Sequence, residues 1–441
     1  MHEIVVSATV FFIILALAWV ARRRVASVHL LALALFFPLM PILRALLGGA
    51  PRPGSDAELL VLYSSVLLYG VVFFVCTLNS KALGFDRYRG WLLDLSNSKI
   101  FRIAVTVLFF AWCIRIFQWD VYGVAISGSG TAELISDIPY WLTVASSISD
   151  ILSYGAFLTV AVSAVAARSK LAAAFLILEL AWALLEGGRR EFALYVVVLI
   201  VVAHQIAAFN YRRIAFLSVV GVVFLWVVSP VFITFRESNS ENLSRGFPPI
   251  DASIAAAKST LTNCIGDIDC GRSVAQNVVE RSNVLEFLRE VVSARHEGYP
   301  LTYGEASVVA VIWATPSLFI EKPEFMSEQF IQSSFGMAIT DGSSSVLALA
   351  YADFGILGVV AFAAALAAYF SVLMRVAKTV SSKFFGACIS FSVISMMWNL
   401  EIDPTAYIVT ARDIALIYFF LWLIAAIKLK RRIARFSGAV R

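Results

Sequence analysis

Glu186-Gly187-Gly188-Arg189-Arg190-Glu191 is a tight break between two apolar runs that sets two guanidiniums beside a helix start. The glycines let the backbone turn closely, and the amides of the following helix point into the gap. Arginine presents a planar bidentate fork and keeps its charge when desolvated, so this pattern suits a phosphate or diphosphate. The other reading is that Arg189 and Arg190 simply neutralise Glu186 and Glu191. A long polar stretch carries more cations: Arg236, Arg245, Lys258, Arg272, Arg281, Arg289, Arg295 and Lys322. Arg44, Arg115 and Arg412 lie in or at the ends of apolar runs, where a charge is costly unless it is paired or lines a wet cavity.

Carboxylates and imidazoles supply bases. Asp353, just before Phe354-Gly355, is the first candidate for taking a proton from an attacking hydroxyl; a helix-end pair with Arg412 or Lys322 is its alternative. Glu179 sits mid-run, and Arg115 can pair with it or with Asp150. His296 is a loop histidine that can act as a base or merely be solvated. His204 reads as a core histidine, and His2 and His29 belong to no constellation. No metal-ligand spacing, Walker loop or nucleotide fingerprint occurs, so neither metal nor cofactor is expected.

The elements that must position these groups are membrane helices. Of 441 residues, 60% are hydrophobic and 15% charged, whereas soluble domains carry about 25% charge. A span needs about 20 apolar residues. Candidate spans are 3–21, 27–47, 57–78, 101–118, 141–166, 171–187, 191–209, 214–235, 345–374, 384–400 and 409–427. The first has no cleavage site and reads as a retained helix. The span from 345 carries Asp353-Phe354-Gly355, so its first turns are expected to be buried in protein.

Twenty-one of the 35 Lys and Arg fall on one side of this map, including Arg22–Arg24, Arg168, Lys170, Arg375 to Lys383 and the tail from Lys428. Basic loops stay cytoplasmic, which puts the N-terminus outside and the C-terminus inside. The fold expected is all-α and polytopic: an N-terminal bundle over 1–235, a large helical outer loop over 236–344, and C-terminal helices with a basic tail over 345–441. Within the loop, 273–295 has amphipathic spacing, and the short run 306–320 with Pro316 reads as re-entrant or interfacial. Cys264 and Cys270 are either a local disulfide or two free thiols. The spread of basic residues over loops gives no reason to expect nucleic acid.

Glu280-Arg281-Ser282, Tyr303-Gly304, Pro316, Lys322-Pro323, the polar stretch Thr340 to Ser345, and Tyr351-Ala352-Asp353-Phe354-Gly355-Ile356-Leu357-Gly358 follow in an order that resembles the Wzy-type polysaccharide polymerases, as does Gly188-Arg189-Arg190. The chain departs from that pattern at Ser317, where members often carry Arg. The resemblance implies a bundle similar to the GT-C glycosyltransferases in a bacterial inner membrane, with its site facing the periplasm. It implies a growing glycan on undecaprenyl diphosphate as donor, a second lipid-linked repeat unit as acceptor, and flippase and chain-length-regulating proteins as partners. Asp353 and Arg281 would then be catalytic, and Arg189, Arg190, Arg245, Lys322 and Arg412 would hold substrate. An O-antigen ligase, with His296 as its histidine, and a lipid-linked sugar transporter are the alternatives.

Overall fold

Apolar runs can satisfy their backbone in lipid only as helices or closed barrels, and this chain takes the first course. The computed structural model describes residues 2–46, 55–78, 80–84, 88–122, 140–185, 189–207, 235, 238–239, 241–243, 245–264, 284–315, 319–338, 344–400 and 405–419. For Arg189 and Arg190 it describes the helix they open and not their side chains. The helices are α1 (His2–Val20), α2 (Ala26–Phe36), α3 (Leu39–Leu46), α4 (Asp56–Leu78), α5 (Tyr88–Leu95), α6 (Ser98–Tyr122), α7 (Tyr140–Ala166), α8 (Lys170–Leu185) and α9 (Arg189–Ala207). They continue with α10 (Pro249–Cys264), α11 (Val284–His296), α12 (Glu305–Ala314), α13 (Ser327–Ser334), α14 (Val346–Thr379), α15 (Lys383–Trp398) and α16 (405–419).

Among the described residues, six stretches are long and apolar enough to cross a membrane: His2–Val20, Ala26–Leu46, Asp56–Leu78, Ser98–Gln118, Ile148–Ala166 and Val346–Thr379. The chain is an α-helical membrane protein. Of the other expected spans, 171–187, 191–209 and 384–400 are helical but shorter, 409–427 is described only to 419, and 214–235 lies almost wholly outside the described residues. The expected run 27–47 is two helices. Pro38 has no amide to continue α2, and its carbonyl accepts instead from the Ser7 hydroxyl at 2.5 Å.

α15 is the axis of the bundle, with every residue from Phe384 to Trp398 buried. A helix that is apolar on all sides belongs in the interior, and α2, α7 and α14 surround it. Gly155 of α7 is what lets α7 approach α15, since a Cβ there would stand 2.3 Å from the Cys388 sulfur. Farther out, Phe12, Leu60, Phe109 and Phe110 are exposed, as expected where the surrounding solvent is lipid.

The basic connections meet at one end of this bundle. Arg24 donates to the carbonyls of Thr77 and Ser80 at 2.7 and 3.1 Å. Lys378 donates to the Ala82 carbonyl, and Lys383 pairs with Asp94 at 3.2 Å. The opposite end is where α6 and α15 finish and where α7 and α16 begin.

α14 is 34 residues long, about 51 Å against roughly 30 Å of hydrocarbon. It accommodates the excess by breaking at Gly355, whose φ of 61° and ψ of −144° only glycine adopts readily. The turns before the break, Val346 to Asp353, are all buried in protein, as the sequence predicts.

Candidate functional site

Three residues expected to handle substrate, Asp353, Lys322 and Arg412, bond to the ends of one short helix, α12. α12 has 10 residues, and like any helix it leaves amides unpaired at its start and carbonyls at its end. Asp353 closes the start. Its Oδ1 accepts from the Thr302 hydroxyl at 2.5 Å and the amides of Gly304 and Ala306 at 3.1 and 3.2 Å. Its Oδ2 accepts from the Ser307 amide at 3.0 Å and from the Ser307 hydroxyl. The side chain is wholly buried. A carboxylate with both oxygens so occupied is a cap, and the expectation of a free base at Asp353 is corrected.

Lys322 and Arg412 close the other end. The Lys322 ammonium donates to the carbonyls of Ile312 at 2.7 Å, Trp313 at 2.8 Å and Thr315. An ammonium has three donors, so none is left to grip a phosphate. Desolvation and the neighbouring Arg412 guanidinium pull the Lys322 ammonium below the usual lysine range. Arg412 donates to the Ala314 carbonyl at 2.7 Å and holds Asp413 through Nε and Nη2, both at 2.8 Å. An anion at the start and cations at the end also oppose the α12 dipole favourably. The helix-end pair of Asp353 with Arg412 or Lys322 is thus replaced by a division of labour between the two ends.

Arg245 is exposed and pairs with Glu241 one turn away, at 2.5 Å. His296 is exposed at the end of α11. Arg281 and the Cys264–Cys270 question lie outside the described residues, and so do the side chains of Arg189 and Arg190. Arg289 and Arg44 of the basic set are structural: Arg289 joins Glu3 and Glu286, and Arg44 reaches Glu286 at 3.4 Å. This network fastens α11 to α1 and α3.

The site-like feature is a cavity of about 290 Å³ toward the end of the bundle opposite the basic connections. Asp150, Ile151 and Tyr154 of α7 form one wall. Ser392, Ser395, Met396 and Asn399 form the second, on and just past α15, and Ala406, Tyr407, Val409, Thr410 and Asp413 of α16 form the third. Each set recurs at helical spacing, so one face of each helix turns inward. Tyr407 ties two walls together by donating to the carbonyls of Met396 and Asn399 at 3.2 and 3.1 Å.

Both carboxylates have a guanidinium beside them. Arg115 is shared, at 3.5 Å from Asp150 and 3.4 Å from Glu179, so the two pairings the sequence offers both occur. The Trp112 indole donates to the other Glu179 oxygen at 2.5 Å. Asp150 is half-exposed at the cavity wall, whereas Asp413 is buried against Arg412. Ser392 is 1% exposed, and its hydroxyl has no hydrogen-bond partner among the described residues.

The chain matches no family model, no curated protein and no solved structure.

The cavity therefore has to be read from its own chemistry. Hydroxyls, an amide, two phenol rings and two carboxyl groups make a surface that both donates and accepts. Among the described residues no group of three or more His, Cys, Asp or Glu is placed to hold a metal. A signal for the cavity was present in the sequence: Ser392, Ser395 and Asn399 recur at i, i+3 and i+7 along a mostly apolar run.

His29 also has a constellation that sequence reading misses. It bonds the Met397 carbonyl and the Tyr69 hydroxyl, both at 2.9 Å, and lies fully buried beside Phe73. Its role is to bind α2, α4 and the end of α15 together.

Proposed function

We propose that this chain is a membrane glycosyltransferase that joins lipid-diphosphate-linked glycan repeat units at the non-cytoplasmic face of a bacterial inner membrane. It would have about eleven spans, with its N-terminus outside and its C-terminus inside. The observation that carries this reading is the polar cavity between α7, α15 and α16, at the bundle end away from the basic connections. By the positive-inside rule the basic end faces the cytoplasm, so the cavity faces outward. A saccharide hydroxyl held there meets a carboxylate able to accept its proton. Arg189, Arg190 and Arg281 are the cations we assign to the diphosphate, since Lys322 and Arg412 both donate to carbonyls at the end of α12. A leaving diphosphate develops charge that fixed guanidiniums stabilise.

The test is reconstitution. Purified full-length protein in lipid nanodiscs, given a lipid-linked repeat unit, should yield a ladder of longer lipid-linked glycans. Transfer only to a lipid A-core acceptor identifies a ligase instead. A second reading has its own support, because Arg115, Asp150 and Glu179 are charges inside the bundle, where carriers keep them. Movement of lipid-linked sugar across proteoliposomes without any change in glycan length would decide for that carrier and against transfer.

A further inference from the structure

We infer that the cavity between α7, α15 and α16 is the subsite for an uncharged sugar ring of the acceptor, with Asp150 receiving the proton of its attacking hydroxyl. This deepens the glycosyl-transfer reading and rests on it.

Size comes first. A volume of about 290 Å³ is at the bottom of the range of ligand pockets, roughly 300–1,000 Å³. That admits one sugar-sized ring and excludes a diphosphate with its prenyl chain. Charge narrows the choice further. The guanidiniums at the walls are committed, Arg115 between Asp150 and Glu179, and Arg412 between Asp413 and the Ala314 carbonyl. Among the described residues, a phosphate entering here would meet Asp150 and Asp413, and the guanidiniums beside them are already paired with those carboxylates, so like charge would repel it. The donor's diphosphate must be gripped elsewhere.

What the walls lack is a neutral partner that both donates and accepts. Ser392 is almost completely buried, and among the described residues neither its hydroxyl nor the Asn399 side-chain carbonyl has a hydrogen-bond partner. Buried polar atoms are rarely left so unless a ligand or water completes them. A polyhydroxylated ring supplies O–H groups to Asn399, to Asp150 and to Thr410, whose own proton goes to the Ala406 carbonyl at 2.8 Å, and a lone pair to Ser392. Tyr154 and Tyr407 offer flat faces for its C–H edges. Among the two carboxylates Asp150 is the accessible one, its side chain 46% exposed against 8% for Asp413.

The step balances. The acceptor oxygen forms a bond to the donor's anomeric carbon while the bond from that carbon to the diphosphate oxygen breaks. The leaving lipid diphosphate keeps the electron pair, and the hydroxyl proton passes to the Asp150 carboxylate. Arg115, steadied by Glu179 and Trp112, acts as a positioning residue for Asp150.

The experiment uses the purified full chain in nanodiscs and methyl glycosides of glucose, galactose, rhamnose and N-acetylglucosamine as probes, with binding read by saturation-transfer NMR. At least one glycoside should bind. Filling the cavity with Ser392→Phe should abolish that signal, and Asp150→Asn should weaken it by about tenfold. Thr410→Phe serves as a second filler that keeps the test decisive if Ser392→Phe fails to fold. Binding that survives both fillers overturns the inference. So does a cavity that responds to sodium or inorganic pyrophosphate and to no glycoside, or one that holds water only. The two proposals fail separately: glycoside binding without glycan extension removes the transfer reading alone, and extension with filler-insensitive glycoside binding removes this one alone.

Discussion

Asp353 grips Ser307 twice across 46 residues of chain, through the backbone amide at 3.0 Å and through the hydroxyl. Every donor around the carboxylate needs an acceptor. Asp353→Asn turns one oxygen into a donor that faces other donors, and Asp353→Ala removes both. We expect each to cost about 1–3 kcal/mol or more, measured by thermal unfolding in detergent. An unchanged melting temperature for Asp353→Asn would sink the capping role.

Lys322 should behave as the complementary cap. Lys322→Gln loses charge-assisted bonds to the last carbonyls of α12 and should cost about 1–2 kcal/mol. Glycoside binding in the cavity should persist, because Lys322 forms no part of its wall. Loss of binding with unaltered stability would return Lys322 to the substrate.

Arg289 and Glu3 meet with side chains only 9% and 13% exposed. Breaking such a pair strands a desolvated charge, so Arg289→Ala should cost about 3–5 kcal/mol. A double-mutant cycle with Glu3→Gln should give a coupling of roughly 0.5–3 kcal/mol. Strict additivity would mean that α11 is held to α1 by packing alone.

Gly155→Ala sets a methyl carbon 2.3 Å from the Cys388 sulfur and 2.8 Å from the Cys388 amide nitrogen. Overpacking of this kind costs about 1–3 kcal/mol and often more. Adding Cys388→Ala should recover part of the loss, since the sulfur clash goes and the backbone clash stays. Full recovery, or none, in the unfolding assay would contradict this contact geometry.

Gly355→Ala forces a Cβ onto a backbone region reserved for glycine. The expected penalty is about 1–3 kcal/mol. The change should also loosen the hold of Tyr303 on the break, where its amide donates to the Asp353 carbonyl at 3.0 Å. Faster proteolysis between α11 and α12 is the readout. A variant as resistant as the parent would show that the break tolerates a side chain.

The spans were legible because hydropathy and length are local properties. α1, α4 and α7 begin within a residue of their expected starts, and Asp353-Phe354-Gly355 marked the buried first part of α14 but not its break at Gly355. Arg115 could be matched to Asp150 and Glu179 because intramembrane charges must find partners. The roles of Asp353, Lys322 and Arg412 were not legible, because their partners at α12 lie 46 to 51, 7 to 10 and 98 residues away. An exposed phosphate grip and a helix cap call for the same side chains.

Sequence by itself determined that this chain lives in a membrane, since backbone hydrogen bonds and apolar side chains leave such runs no other stable solvent. Its uneven scatter of Lys and Arg likewise distinguished one end of the bundle from the other. Only the tertiary structure decided which charges are consumed in holding helix ends and which face a space. That space exists because Asp150, Ser392 and Asp413, far apart in the chain, are brought together by packing around α15, and no local pattern encodes such a meeting.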